Sequence, residues 1–298
     1  MVSINSKHAH ALLLLISINY LAFFFFPVNS QSSSPNISIG INQEGLFVYV
    51  FSVAVRADIP ASNVQTTALQ NLAGTDSAAS TTSTCSGLIP DIRACQSQGV
   101  KVFLSLDGSY SVSQDAQQFS DYIWNTFLGG QSNSRPFGDV VFDGINFNID
   151  AGSGSGQFWA DVATSLKVHS SSSQLQKKLY LSAAVPCLFP ADAHLGARLF
   201  DYVWVRFYNN RQCEYGANAV ALLAAWNWWT TQVTSSRIFL GLPAAPAGAA
   251  LSGYIPADLL TLTVLPFIKT SPKYAGVMLW NTFYDQQTGY SAAIKNSV

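Results

Sequence analysis

The 298-residue sequence contains few charged residues, 10% of the total, and they nearly cancel to a net charge of −1. It has neither a cluster of basic residues nor a glycine-rich phosphate-binding loop, so nothing in it indicates a nucleic acid or another polyanion as a partner. We also expect no metal ion and no cofactor. Hydrophobic residues make up 49% of the chain, which favours a large buried core over disorder.

Long apolar runs are also lacking, apart from one at the amino terminus. Residues 11–28 are apolar, Lys7 and two histidines precede them, and the small residues of 28–30 follow. This order is typical of a secretory signal peptide that is cleaved near Gln31. The alternative is a membrane anchor, but Asn19 interrupts the run, which is also short for a membrane span. We therefore predict a signal peptide over residues 1–30, secretion, and no membrane attachment after cleavage.

Cysteine is rare, and the four that are present fit an oxidising compartment. The sequon that begins at Asn36 lies at the start of a predicted strand, which disfavours glycosylation there.

Strand-like runs alternate with helix-compatible segments along the chain, which predicts a parallel sheet with helices outside it. The length suits one barrel of typical size, without a second domain. The strand-like runs are 37–41, 47–55, 100–106, 140–150, 178–184, 202–208, 237–242 and 275–280, and the clearest helical segments are 90–98, 114–127, 156–169 and 217–233.

The first strand unit departs from this pattern, because only five residues separate Ile41 from Phe47. Parallel neighbours need a crossover of a dozen residues or more. Three explanations stay open: a hairpin turn around Gly45 that reverses the first strand, a displaced first strand, or an error in the gene model. We therefore predict a truncated first β/α unit.

One strand carries the features of an active site. In residues 143–150, Asp-Gly-Ile-Asn-Phe-Asn-Ile-Asp, apolar residues alternate with Asn146, Asn148 and Asp150. Alternate side chains of a strand share a face, so these three polar groups project together.

This row resembles the Asp-Gly-x-Asp-x-Asp-x-Glu signature of family 18 glycoside hydrolases, and the chain is most similar to the plant class III, hevamine-like chitinases. The resemblance implies a (β/α)8 TIM barrel over residues 31–298, an extracellular plant setting in the apoplast or vacuole, and chitin-type ligands. We further expect a monomer. The matching segments are 99–106, 121–124, 127–130, 199–204, 207–210, 238–246 and 271–280.

The same resemblance implies a disulfide bond between Cys187 and Cys213. Cys85 and Cys95 correspond to family cysteines whose partners are absent here. They either pair with each other or stay free.

Family 18 enzymes use the N-acetyl group of the substrate as the nucleophile. By resemblance, a glutamic acid donates the proton, an aspartate orients the acetyl group, and a tyrosine holds its carbonyl. Tyr208 matches that tyrosine, and Trp280 matches the aromatic floor beneath the sugar. Asn209 and Asp143, which lie within matching motifs, are predicted to bind substrate together with Asn146. The alternative role for Tyr208 and Trp280 is packing in the barrel core.

The catalytic positions themselves depart from the family. Asp150 stands where the glutamate is expected, and its shorter side chain withdraws the carboxyl by about 1.5 Å. A misplacement of about 1 Å costs on the order of a hundredfold in rate. Asn148 replaces the orienting aspartate and supplies no negative charge to a cationic intermediate. Without acidic neighbours in the row, Asp150 should also be ionised more often and donate a proton less readily.

Asp107, after the third strand, adds a carboxylate near the same end of the barrel, where it is either a substrate-binding residue, a substitute acid or a solvated loop residue.

Our first hypothesis is a secreted chitinase-like protein that binds chitin or N-acetylglucosamine oligosaccharides with little or no hydrolysis. The alternatives are a weak endochitinase with Asp150 as its acid, and an inhibitor of microbial glycosidases. A storage role and a poorly folding gene product rank below these.

Overall fold

In the computed structural model, the chain is described for the backbone of 37–42 and 47–53 and for all atoms of 89–106, 116–149, 156–173, 177–188, 199–233, 237–250 and 252–298. The predictions for the signal peptide, Asn36, Cys85, Asp107 and Asp150 lie outside these residues. None of the helices in the described part of the chain is long and apolar enough to cross a membrane.

Strands in sequence order form a closed barrel. From β2 to β8 each strand is parallel to the next one, as the sequence predicts. The strands are β1 (Ile37–Asn42), β2 (Phe47–Val53), β3 (Lys101–Leu106), β4 (Gly144–Asn148), β5 (Tyr180–Pro186), β6 (Tyr202–Arg206), β7 (Arg237–Pro243) and β8 (Tyr274–Trp280).

The first strand runs against both of its neighbours. β1 is antiparallel to β2, with Ile41 opposite Phe47, and antiparallel to β8, with Gly40 opposite Met278. The reversed strand is one of the arrangements left open by the sequence, and it needs no crossover because a short connection suffices between antiparallel neighbours. The barrel therefore departs from a regular (β/α)8 arrangement at this strand.

Helices follow most of the parallel strands, and the longer ones each bury a set of residues. In α2, the buried residues Phe119, Ile123 and Phe127 recur at helical spacing, as expected for a helix that packs on a sheet. The helices are α1 (Ile89–Ser97), α2 (Ala116–Phe127), α3 (Gly156–Ser172), α4 (Val220–Gln232), α5 (Ala257–Leu259) continuing through a π-helical turn (Leu260–Val264) into α6 (Leu265–Ile268), α7 (Thr282–Thr288) and α8 (Tyr290–Ile294).

Aromatic side chains fill the amino-terminal half of the barrel. Phe103 stacks on Tyr180 and on Trp204 with ring centroids 6.3 Å apart in each pair. Tyr180 and Tyr202 stack at 5.8 Å. The ammonium groups of Lys101 and Lys178 lie over the Tyr180 ring and cover this end. Polar side chains occur further along the same strands, so the carboxyl-terminal end is where a ligand site can form.

Candidate functional site

The polar row of β4 lies partly inside the barrel. Asn146 and Asn148 are two residues apart on one strand, which places them on the same face. Asn146 is only 3% exposed, whereas Asn148, at the carboxyl end of the strand, is half-buried. Within this row, Asn148 therefore lies at the carboxyl-terminal end of the barrel, where parallel strands present their ligand-binding residues. Both side chains are neutral amides.

Asn146 is held by serines on the two adjacent strands. Its Nδ2 donates to Ser105 Oγ on β3 (2.8 Å), and Ser182 Oγ on β5 donates to its Oδ1 (2.9 Å). All three residues are buried. Because buried polar groups are costly without partners, this pairing satisfies the amide within the barrel wall. The contacts favour a structural role for Asn146 over the predicted contact with substrate.

Asp143 lies at the opposite end of the barrel from Asn148, and we correct its predicted role. It precedes β4, and its Oδ2 accepts hydrogen bonds from the Val102 backbone (2.8 Å) and from Gln96 Nε2 (2.8 Å). Its Oδ1 forms an ion pair with Lys177 at 3.0 Å. In a parallel barrel, residues before a strand lie at its amino-terminal end, away from the ligand site. Asp143 therefore fastens β4 to β3, and its position and contacts favour this structural role over the predicted contact with substrate.

Tyr208 follows β6 in a tightly held turn. It is 8% exposed. The next residue, Asn209, has a φ of 59°, a left-handed conformation that asparagine tolerates better than most residues. The Asn209 backbone N–H donates to Ser252 O (2.9 Å). A Cβ on Gly253 would lie 2.6 Å from the Tyr208 Cα, so only glycine allows this close approach. The exposed Asn209 and the buried Tyr208 thus have fixed backbone positions.

Two further contacts hold the segment that follows Tyr208 and Asn209. Cys213 forms a disulfide bond with Cys187, at the end of β5, which confirms the predicted pairing. Glu214 is buried, and its Oε2 accepts a hydrogen bond from the Asn210 backbone at 2.7 Å. Sequence reasoning missed Glu214, although an acidic residue four positions after Asn210, next to a cysteine, is a usable signal for a turn. The segment after β6 is therefore anchored to both β5 and its own downstream loop.

Trp280 is the last residue of β8 and is half-buried. It lies opposite Pro243 on β7 and Ser38 on β1. Its carbonyl accepts a hydrogen bond from the Ala244 N–H (2.7 Å), and the peptide bond to Asn281 is cis. This position, at the carboxyl end of the barrel with part of the indole accessible, is compatible with a surface on which a sugar ring stacks.

A cation lies at this end of the barrel that the sequence analysis did not select. Arg206, the last residue of β6, is half-buried, and its Nη2 donates to the backbone carbonyl of Ile149 (3.1 Å). That carbonyl belongs to the residue just before Asp150. The sequence could have identified Arg206 by two features. It lies two residues before Tyr208, and a charged residue in a buried strand is rare.

Two further titratable groups, on α1 and on α7, have raised pKa values. Cys95 on α1 is buried and free, and burial followed by the charge of Asp91 raises the pKa of its thiol to about 11. Burial also raises the pKa of Asp285 on α7, although hydrogen bonds from Ser291 oppose that shift. In the part of the chain that the structure describes, no three His, Cys, Asp or Glu side chains could hold a metal ion together.

Similar plant proteins include proteins named as chitinases as well as one named as an inhibitor. An acidic endochitinase of Beta vulgaris, SE2, is 53% identical over 245 residues, which is 79% of each chain. The structure of the chitinase ICChI from Ipomoea carnea is 44% identical, with a TM-score of 0.65 over 72% of this chain and 79% of its own. A xylanase and alpha-amylase inhibitor protein from Scadoxus multiflorus is 37% identical, with a TM-score of 0.64 over 72% and 80%.

The model of glycosyl hydrolases family 18 matches residues 5–255. This match spans most of the sequence and includes β1 to β7 together with the β4 row and Tyr208. The structural similarity extends to proteins with and without hydrolase names, so it establishes ancestry and fold rather than activity. On this evidence the chain belongs to glycosyl hydrolase family 18.

Proposed function

We propose that this protein is a secreted, chitinase-like carbohydrate-binding protein that takes chitin or N-acetylglucosamine oligosaccharides with little or no hydrolysis. The observation that carries the proposal is the amide at Asn148, which stands half-buried at the end of β4 where the family reaction needs a carboxylate. An amide can hydrogen-bond an acetyl group. It cannot balance the positive charge of an oxazolinium intermediate, and such electrostatic stabilisation is a large part of catalysis.

Ligand binding does not need the missing charge. The half-buried Trp280 offers an aromatic face, and the fixed turn after β6 presents Tyr208 and Asn209 to the same end of the barrel. Stacking and hydrogen bonds to a neutral sugar remain available when proton donation fails.

Secretion to the apoplast or vacuole is part of the same proposal and rests on the apolar amino-terminal run.

The test combines turnover with binding. Purified protein and its Asp150→Ala variant are incubated with a fluorogenic chito-oligosaccharide, and we expect no turnover from either one. Binding of unlabelled chitotetraose is then measured by calorimetry. Trp280→Ala should weaken binding about tenfold, or about 1.4 kcal/mol. Trp228→Ala is the matched control, because Trp228 lies on α4, outside the barrel, and is 38% exposed.

Turnover that disappears in Asp150→Ala would reject the proposal in favour of a slow endochitinase with Asp150 as general acid. Absence of both turnover and binding would direct attention to a second candidate, the inhibition of other glycosidases. That candidate is favoured by the similarity to the Scadoxus inhibitor protein. It is tested by adding the protein to fungal xylanase and α-amylase assays, in which unchanged rates would count against it.

A further inference from the structure

The backbone of Trp280, whose indole carries the proposed sugar stacking, is held by the residue that follows the neighbouring strand. Its carbonyl oxygen accepts a hydrogen bond of 2.7 Å from the N–H of Ala244. Ala244 comes directly after β7 and is fully buried. Because Ala244 has no access to water, its N–H cannot exchange this partner for a solvent molecule. The position of Ala244 therefore constrains the end of β8.

The helix that follows Trp280 holds Ala244 through its other peptide group. The hydroxyl of Thr288, at the end of α7, donates to the carbonyl oxygen of Ala244 at 2.9 Å. The carbonyl oxygen of Tyr284, one turn earlier in α7, lies 3.1 Å from the same hydroxyl. A hydroxyl has a single hydrogen to donate, and the shorter of its two contacts joins different elements. The chain thus forms a closed ring that runs from Trp280 through α7 to Thr288 and returns through Ala244.

Both ends of α7 are fixed, which defines the place of Thr288. At its beginning, the side chain of the buried Asn281 caps the helix and accepts a hydrogen bond from the Tyr284 N–H (3.3 Å). Near its end, the buried Asp285 accepts hydrogen bonds of 2.6 Å from both the N–H and the hydroxyl of Ser291. Ser291 belongs to α8, so these two bonds tie α8 to α7.

Close packing confines the Trp280 carbonyl further. The 3₁₀ turn Pro246–Gly248 follows Ala244 in the chain. A Cβ at Gly248 would lie 3.1 Å from the Trp280 carbonyl oxygen and 3.1 Å from Cδ2 of Tyr284. Both distances are shorter than a favourable contact between carbon atoms, about 3.5–4.0 Å. Hydrogen bonds and packing together therefore fix the backbone of Trp280, and with it the direction of the Cα–Cβ bond that carries the indole.

We propose that Thr288 is a positioning residue for sugar binding, because its hydroxyl holds Ala244 and Ala244 holds Trp280. The inference rests on the proposed function and deepens it, since it adds a residue that sets the geometry of the stacking surface without touching the sugar. A binding group works only when the residues behind it keep its position to within about 0.5 Å. Loss of the Thr288 hydroxyl should therefore weaken binding although every group that contacts the sugar is still present.

The test measures the placement of the indole and the affinity separately. Native protein, Thr288→Val and Thr288→Ser are labelled with 5-fluorotryptophan, and Trp280→Phe identifies the Trp280 signal among the seven tryptophans. Valine keeps the shape of threonine but has no hydroxyl, so the ¹⁹F resonance of Trp280 should shift. Binding of chitotetraose, measured by calorimetry, should weaken about threefold. Serine keeps the hydroxyl and should restore both the native resonance and the native affinity.

Thr231→Val is the matched control. Thr231 is an exposed threonine in the last turn of α4, and its hydroxyl contacts the backbone carbonyl four residues earlier, as that of Thr288 does. Its printed contacts stay within α4, to the carbonyls of Asn227 and Trp228. The same chemical change at this position should leave the Trp280 resonance and the affinity for chitotetraose as they are in the native protein.

A Trp280 resonance that stays in place in Thr288→Val would overturn the inference, because a threonine with a merely structural role would lower stability without moving the indole. A shifted resonance with unchanged affinity would also overturn it, since the placement of the indole would then not matter to the sugar. The resonance is measured without a ligand. If the native protein fails to bind chitotetraose, the proposed function fails, while the effect of Thr288 on Trp280 is still decided by the ¹⁹F shift.

Discussion

Asn146 and Asn148 show how two identical side chains on one strand face acquire different roles. Asn146 is enclosed between Ser105 and Ser182, whereas Asn148 lies two residues further along β4, at the end of the strand, and is half-buried. A buried amide whose donor and acceptor are both used contributes to the strand packing of β3, β4 and β5. The amide at the end of the strand remains half-accessible and is the one that can contact a ligand.

This difference predicts the effect of removing the inner amide. Asn146→Leu keeps a similar volume but leaves the hydroxyls of Ser105 and Ser182 buried without their partner, at about 1–3 kcal/mol each. We expect the free energy of unfolding to fall by about 2–4 kcal/mol in urea denaturation. The triple variant Asn146→Leu/Ser105→Ala/Ser182→Ala removes the stranded hydroxyls and should recover most of that loss. Equal instability of the two variants would disprove the role of the hydrogen bonds.

Alternation along β4 correctly predicts that Asn146 and Asn148 share a face, since period two is a direct consequence of strand geometry. The roles of Asp143 and Arg206 were missed for another reason. Both depend on contacts with residues more than forty positions away, Val102 for Asp143 and Ile149 for Arg206. The direction of a parallel strand could have placed Asp143 at the amino-terminal end, but it could not have identified its partners.

The turn after β6 is an element whose conformation depends on several independent constraints. The disulfide bond joins it to β5, Glu214 binds its backbone, and the close approach of Gly253 limits movement of Tyr208. Family resemblance predicted the disulfide bond but gave no information on Glu214 or Gly253, because these contacts arise only when β6 and the 252–253 segment pack together.

The disulfide bond should protect this turn from proteolysis. Cys187→Ala/Cys213→Ala opens a loop spanning a sequence separation of 26, and we expect the free energy of unfolding to fall by about 3–4 kcal/mol. Arg211, exposed between the anchored positions, should then be cut by trypsin under native conditions, as detected by peptide mass mapping. Cys95→Ala is the control, since it removes a buried thiol and leaves the turn intact. Resistance of Arg211 in the double variant would show that Glu214 and Gly253 suffice.

Closure of the whole barrel depends on β1, and here sequence reasoning could only state alternatives. The predicted helices at 90–98, 114–127, 156–169 and 217–233 agree with α1 to α4, because apolar periodicity is a local property. The predicted strand 140–150 is longer than β4, since Val140 and Phe142 are buried in a loop rather than in the sheet. Strand direction, by contrast, is set by hydrogen bonds to β8, which is more than two hundred residues away.

Paired cysteines can test the direction of β1. In the antiparallel register, Ile41 is opposite Val277, and directly opposed Cα atoms lie within the range that a disulfide bond can span. Ile41→Cys/Val277→Cys should therefore form a new disulfide bond on mild oxidation, identified by mass spectrometry of unreduced peptides. Cys85→Ser and Cys95→Ala are included so that neither of these cysteines can compete for the new bond.

The control pair is Ile39→Cys/Val277→Cys, which differs by a shift of two residues along the same strand. In the antiparallel register Ile39 faces Leu279, so its distance from position 277 exceeds the limit of about 7 Å for a disulfide bond. A parallel strand centred on the same Gly40–Met278 pair would instead place position 39 opposite 277 and position 41 opposite 279. Efficient cross-linking of the 39/277 pair without the 41/277 pair would therefore show that β1 runs parallel to β8 and that the barrel closes in the regular way.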